Sequence, residues 1–518
     1  MKDKTNAWFL RLVPFLLGAA VLLVYLLTMA PVLTWEHAGR DGGDLISAAH
    51  FLGVPHPTGY PTFTMLAWLF TRLPLGSVAW RVHFFCGLAG VAAVVWLYLV
   101  GRRSAAAHGR GPATLGAAVG ALSLAFSPLF WGHSLIAEVY TLHLCFIALI
   151  LWLMLRWRDG KGPLPLAALV FGVGLGNHIT LTFLALAILP LLWSGRERLS
   201  WRVVFQSALA LGAGALVYLY LPWRAATDPV INWGDPDNLE GFWWAVSGQG
   251  YRRFFFALPW DKVWSRLREW LFLSNDQFIP LAWPLVLGGL YALGRHDRWL
   301  ALGTVLHAAI NLIYSVGYNV TDAFVHLLPV YLYLALWMGQ GAAALWTATR
   351  QLRGTIWQGR GFGELTTGRE LVNGLVVAGL LALPLLSLAQ EWSRMDLTDD
   401  RRAHNYAREA LEAVEPGALI VVGSDAYTFA LWYYRYVEEL RTDVAVVNYP
   451  MLSFDWYVDT VSIYHPQVIM PGPSTSKTRK LNTVLNNLDQ RAVYIAQDEG
   501  DMEGLGLTPV GPLWQVTQ

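Results

Sequence analysis

The chain has 518 residues, 55% of them hydrophobic and only 14% charged, and its formal net charge is +1. Its charge-free apolar runs are much longer than the roughly 10–14 residues of a buried soluble helix, which marks a polytopic membrane protein and excludes an ordinary soluble one. So small a net charge supplies no concentrated basic face, which argues against a nucleic-acid partner. The two cysteines, Cys86 and Cys145, both lie within apolar runs and read as buried thiols, not as a disulfide framework.

The basic N-terminus resembles the start of a signal sequence, but the apolar run continues to Ala30 without a small-residue cleavage site and reads as a retained first span. Further runs follow at Val82–Gly101, Pro112–Trp131, Val139–Leu155, Val203–Trp223, Phe278–Gly294, Trp299–Tyr318, Phe324–Trp346 and Leu371–Gln390. Gly162–Ser194 would be about 50 Å long as one helix, against a hydrocarbon core of about 30 Å. It divides at Gly176-Asn177-His178 into a short helical hairpin, for about eleven spans in all. With the N-terminus inside, the loops bearing Arg102/Arg103/Arg110, Arg156/Arg158/Lys161, Arg196/Arg198/Arg202, Arg295/Arg298 and Arg350/Arg353/Arg360/Arg369 all fall inside too, as short basic loops should. Nearly all the unusual polar sequence then faces the other side. It comprises a first outer loop (31–81), the Trp131–Glu138 turn, the Asn177-His178 apex, a large outer loop (224–276), the Tyr318–His326 turn and everything after residue 390.

In the first outer loop, Leu45–Leu52 and Pro61–Leu73 read as short helices. They flank a stiff turn, Val54-Pro-His-Pro-Thr-Gly-Tyr-Pro61, whose three prolines fix φ and remove amide donors. Residues 1–390 form the membrane domain. Residues 391–518 change to the composition of a soluble outer domain, with strands at Leu419–Val422, Val444–Asn448 and Ala492–Ala496 and helices at Ala426–Leu440 and Lys480–Leu488. This alternation predicts a small parallel α/β domain. Strand-then-glycine at Val422-Gly423-Ser424-Asp425 lacks the GxGxxG of a nucleotide loop, and acceptor binding or a structural role fits it better.

Asp41 and Asp44 stand three apart at a helix start, so both can point to one face. They read either as a general base for a hydroxyl acceptor with an orienting carboxylate, or as an N-cap and a first-turn charge favourable to the helix dipole. His56 and His178 could donate to a phosphate or be satisfied structural histidines. Glu138 begins a span and could simply snorkel at the interface. In the large outer loop, Arg224, Arg252 and Arg253 stand beside aromatics, a combination that suits a lipid-linked phosphate as well as plain headgroup anchoring. Asn232 and Asp235 form a further polar group there, and Asn319, Asp322 and His326 another on the same side. None of these spacings is a metal motif.

Together Asp41-Gly-Gly-Asp44, Leu52-Gly-Val-Pro-His-Pro-Thr-Gly-Tyr-Pro61, Ala137-Glu-Val-Tyr140, Gly176-Asn-His178, Asn232-Trp-Gly-Asp-Pro236 and Tyr318-Asn-Val-Thr-Asp322 resemble the glycosyltransferase-C superfamily. The nearest branch is the one holding the eukaryotic transmembrane protein 260-type O-mannosyltransferases and their bacterial relatives. The resemblance covers about Leu12 to Trp346 and leaves out the outer C-terminal domain. It differs at the family's Asp-Ser-Gly-Glu, where Asp41 matches the first position and Asp44 stands for the Glu. It implies inverting transfer of a sugar such as mannose from a polyprenyl-phosphate donor to a protein or glycan hydroxyl, with catalysis by Asp41 and Asp44 on the outer face of a bacterial cytoplasmic membrane. His56, His178, Arg224, Arg252 and Arg253 would serve the donor phosphate, and Tyr60, Glu138, Asn177, Asn232, Asp235, Asn319, Asp322 and His326 would complete the site. No metal or other cofactor is expected, because a phosphomonoester leaves readily. A transporter or flippase is the alternative, but carriers place polar residues near the midplane in related halves. A membrane-anchored binding module acting through residues 391–518 is a third reading.

Overall fold

Lipid offers no partner for backbone amides, so apolar runs of this length must satisfy their own donors as helices. The computed structural model describes residues 2–357, 366–472, 476–496 and 506–517. Seven helices are long and apolar enough to cross a membrane: Arg11–Thr28, Val78–Ser104, Tyr140–Arg158, Trp201–Ala225, Arg298–Gly317, Ala323–Gln351 and Leu371–Met395. Two bent pairs, Arg110–Ala125 with Pro128–Ser134 (68°) and Trp260–Gln277 with Pro280–His296 (91°), raise the number to nine. The shorter helices Leu164–Leu175 and Ile179–Ser194 are the two arms expected of the divided run. Each bend precedes a proline, Pro128 or Pro280, whose ring drives the residue before it out of the helical region. Ser127 and Ile279 accordingly have ψ of 134° and 136°. Part of the basic loop after Trp346, residues 358–365 with Arg360, lies outside the described residues.

Helix Leu328–Trp357 is the bundle's hub, approached by helix Arg110–Ala125 at Gly116 and Gly120 and by helix Trp283–His296 at Gly289. A Cβ at Gly289 would stand 1.7 Å from the Trp337 carbonyl oxygen, so only glycine permits that crossing. At one end of the bundle, bidentate pairs Arg103–Asp159 and Arg158–Asp297 clamp the short basic loops together. The opposite end carries the polar loops.

The C-terminal domain holds β1 (Leu419–Val422), β2 (Ala445–Asn448), β3 (Val493–Ala496), β4 (Gly506–Val510) and β5 (Leu513–Thr517). They form one sheet in the order β2-β1-β3-β5-β4. Pairing is parallel across β2-β1-β3, as expected, but antiparallel across β3-β5-β4. The last two strands are joined by Gly511-Pro512, too short a connection for anything but a hairpin.

This domain shares a core with the first outer loop. Its helix Asp425–Trp432 lies on helix Gly42–Phe51, where a Cβ on Gly43 would come 2.2 Å from the Phe429 carbonyl oxygen. The Trp35 indole donates to the Ala426 carbonyl (3.1 Å), the Ala79 amide donates to the Tyr433 hydroxyl (3.1 Å), and Arg402 pairs with Glu36. Gly43→Ala therefore forces the two bodies apart. It should cost about 1–3 kcal/mol as an overpacking change, read as a lower melting temperature and faster proteolysis of the C-terminal domain. An unchanged melting temperature would refute this contact.

Candidate active site

Helix Gly42–Phe51 starts at Asp41, which occupies the N-cap position but makes no side-chain cap bond. Asp44, one turn on, has no exposed surface. One of its carboxylate oxygens accepts from the His56 backbone amide (3.0 Å) and from His56 Nδ1 (2.8 Å), and the other accepts from Trp233 Nε1 (3.0 Å). A buried carboxylate needs such donors, and all three come from residues distant in sequence. The Pro-rich turn delivers His56. Trp233 arrives because Val54 pairs with the segment around Asn232, its amide donating to the Ile231 carbonyl (2.7 Å) and its carbonyl accepting from the Trp233 amide (3.0 Å).

The far side of the His56 ring faces Asp41, with Nε2 3.7 Å from a carboxylate oxygen. Burial alone would lower the His56 pKa, but Asp41 and Asp44 outweigh it and raise it to about 9. Asp41 is 37% exposed by side chain, into a recess and not into bulk water. Desolvation there raises its carboxyl to about 6, against the pull of His56. A protonated imidazole thus lies between one fully buried carboxylate and one that is open.

Asp41, His56, Thr58 and Tyr60 form one wall of a cavity of about 160 Å³. Tyr140, His178, Thr180, Tyr251, Tyr318, Asp322 and His326 supply much of the remainder. The rings pack closely: Tyr60 stacks on His178 (6.0 Å), and Tyr140 lies 5.7 Å from His178 and 6.0 Å from His326. His178 Nδ1 accepts from the Thr180 amide (3.3 Å), which leaves the ring proton on Nε2 as a donor. The cavity therefore combines a carboxylate, an imidazolium and several phenol and imidazole donors.

Of the residues expected at a site, Asp41, His56, Tyr60, His178, Asp322 and His326 come together as lining, with Asp44 directly behind them. The others stand elsewhere. Arg224 donates to the Leu52 (2.7 Å) and Phe51 (3.1 Å) carbonyls, capping helix Gly42–Phe51 where a cation suits the dipole. Arg252 and Arg253 are exposed on the Gln249–Phe254 turn, whose Tyr251 lines the cavity while they do not. Asn232 donates to Asp235 within its own turn (2.9 Å), and Asn177 ties the hairpin apex to the Val139 carbonyl (3.1 Å). Asn319 is exposed, with its amide bonded to the Phe254 carbonyl (2.9 Å). Glu138 is buried just outside the lining, and burial, reinforced by Asp41, raises its carboxyl well above the usual range. The glycines after Asp41 do not open onto substrate, since Gly42 packs on Leu33 and Ala137, and Gly43 on Phe429. Trp233, Tyr251 and Tyr318 also belong to the site: Trp233 lies within Asn232-Trp-Gly-Asp-Pro236, Tyr251 precedes Arg252 and Tyr318 opens Tyr318-Asn-Val-Thr-Asp322, yet their residue types alone do not mark them.

The chain has the glycosyltransferase-C fold, with seven to nine candidate membrane spans among the described residues. The crystal structure of ArnT from Cupriavidus metallidurans in the apo state aligns with 99% of this chain and 98% of its own, with a TM-score of 0.56 at 14% identity. The structure of ArnT bound to undecaprenyl phosphate aligns over 97% of both chains, also with a TM-score of 0.56, at 13% identity. Two family models match parts of the chain: the Protein O-mannosyl-transferase TMEM260 N-terminal domain at residues 41–202, and TMEM260-associated domain 2 at residues 403–487. The second match extends the resemblance beyond Trp346 into the C-terminal domain, which the motifs alone had left out. Protein O-mannosyl-transferase TMEM260 of Mus musculus is 28% identical over 483 residues, covering 88% of this chain and 65% of that protein. Its counterpart in Dictyostelium discoideum is 23% identical over 531 residues, covering 93% and 63%. The chain thus spans just under two thirds of the length of these relatives.

The His56 pKa has a measurable consequence. At about 9 it lies above the roughly 6.5 of an unfolded histidine, so its stabilisation is complete below pH 6.5 and lost as pH rises through 9. Asp41, at about 6, is already ionised from pH 7 upward and adds little slope there. Thermal stability should fall between pH 7 and 10 by on the order of 3 kcal/mol, and His56→Gln should flatten that fall. An equal slope in His56→Gln would assign the effect to another group.

Proposed function

We propose that the chain is a membrane glycosyltransferase that moves a hexose, mannose by analogy with its named relatives, from a polyprenyl-phosphate donor to a hydroxyl acceptor with inversion. The observation that carries this reading is the open carboxylate of Asp41, held beside the His56 imidazolium at the wall of a donor-rich cavity. In this reading the acceptor oxygen bonds to the sugar's anomeric carbon as the bond from that carbon to the phosphate oxygen breaks. The acceptor's proton passes to Asp41, and the polyprenyl phosphate leaves with its charge. A hydroxyl is a poor nucleophile at neutral pH, so the base must be ionised and close. His56 keeps Asp41 ionised, and Asp44 with Trp233 holds His56 in place. His178 Nε2 and the hydroxyls of Tyr140 and Tyr318 are donors for the departing phosphate. Arg252 and Arg253, exposed on the segment that lines the cavity, attract the lipid phosphate beforehand.

The acceptor is a protein Ser/Thr or a glycan. The distribution of basic loops supports a cavity and C-terminal domain on the extracytoplasmic side. Incubating purified protein with a panel of polyprenyl-phosphate sugars and acceptor peptides, and analysing the released lipid phosphate, tests the reaction class. No release from any donor overturns it.

The assignment of Asp41 has its own test. Asp41→Asn keeps size and removes the proton acceptor. Transfer should fall by roughly 10²–10⁴-fold with an almost unchanged melting temperature, since the native carboxylate makes no cap bond. Near-normal transfer by the folded variant would move the base to Asp322, the other carboxylate that lines the cavity.

A further inference from the structure

Helix Trp260–Gln277 turns 91° into the span that follows it, so it lies nearly in the membrane plane once that span is upright. Its corner is pinned by Trp283 Nε1, which donates to Asn275 (2.8 Å). One face is fastened to the protein. Arg266 donates to the Tyr318 carbonyl (2.6 Å), Trp270 Nε1 to Ser315 (2.7 Å), and Gln277 accepts from the Leu129 amide (2.8 Å). A second face is polar and exposed, with Asp261, Lys262 and Glu269. Between them runs an apolar flank of Trp260, Trp264 and Leu271, which are 84%, 69% and 59% exposed. At 100° per residue these three lie within about 40° of one another on the helix circumference.

We propose that this helix is a membrane-surface anchor that sinks its Trp260–Trp264–Leu271 flank into the headgroup–acyl boundary and, through Arg266, holds the Tyr318 wall of the cavity at the height of a lipid-borne substrate. An in-plane helix with indoles on one flank and mixed charges on another is suited to that boundary. The helix does not merely lie beside the site. Tyr318 lines the cavity, and its carbonyl is the group that Arg266 grips.

The anchoring claim stands apart from the reaction, while the link to the cavity rests on the function proposed above. Nitroxides on Trp264→Cys and Lys262→Cys, in full-length protein reconstituted into phosphatidylcholine–phosphatidylglycerol vesicles, report depth by collision with oxygen and with a water-soluble nickel chelate. Position 264 should be several-fold more accessible to oxygen and several-fold less to nickel than position 262. Equal nickel accessibility would overturn the anchor, and protection of 264 from both quenchers would assign the flank to a second copy of the chain and overturn it too. These outcomes hold whatever sugar is transferred. With a donor that the wild type uses, Trp260→Ser/Trp264→Ser should raise the half-saturating concentration of a long-chain donor about tenfold and leave turnover of a short-chain, water-soluble donor unchanged. An equal loss with both donors, or none with either, would overturn the link.

Discussion

The site depends on how one carboxylate is kept in a place that water cannot reach. Asp44 has no exposed surface, and an ionised group so buried is tolerable only when donors replace its hydration. Two of the three donors come from His56 and the third from Trp233. Satisfying Asp44 therefore requires the Pro-rich turn of the first loop and the Trp233 turn of the large loop to be correctly placed together. What is gained is the orientation of His56. With Nδ1 committed to Asp44, the opposite edge of the ring must face Asp41.

The same constraint reaches into the C-terminal domain. Trp233 is flanked by Phe429 (6.2 Å) and Trp456 (5.9 Å), and Phe429 is the residue whose carbonyl rests on Gly43. The domain thus supports both the helix that carries Asp44 and the indole that binds it. Its compact sheet and apparent separateness in composition do not make it a detachable module. Its helix Asp425–Trp432 completes the packing around a membrane-loop carboxylate.

Much of this was legible in the residues, for identifiable reasons. Spans announce themselves because lipid imposes length and apolarity on each segment separately: nine of the eleven expected segments fall on helices, straight or bent in pairs, that are long and apolar enough to cross, and the two arms of the divided run fall on shorter ones. The first loop was legible because prolines and paired acids are local signals. Arg224 was not: beside Trp223 it suggests phosphate, yet it caps the end of a helix some 170 positions earlier in the chain. Trp233 was overlooked for the converse reason, since an indole among polar neighbours does not declare that its N–H has a buried partner. The glycines after Asp41 do not declare what they admit, and Gly43 provides room for a domain. In each case the residue type was informative about chemistry and silent about which distant partner would claim it.

The reaction proposed above, between a lipid-borne and a water-borne substrate, needs irregular backbone at a depth where lipid forbids it. Two helices break at Pro128 and Pro280, the first enclosed by protein and the second at an exposed corner. Pro128 and Pro280 end their helices, and Gln277, just before the second break, accepts from the Leu129 amide just after the first. A side chain at the second interruption therefore satisfies a backbone donor freed at the first. The hairpin apex does the same through Asn177, which bonds the Val139 carbonyl at the start of a neighbouring span. The apex enters the cavity through His178, while Pro128, Leu129 and Gln277 line a separate recess with His37 and Arg394, so the non-helical backbone finds protein partners where lipid could supply none.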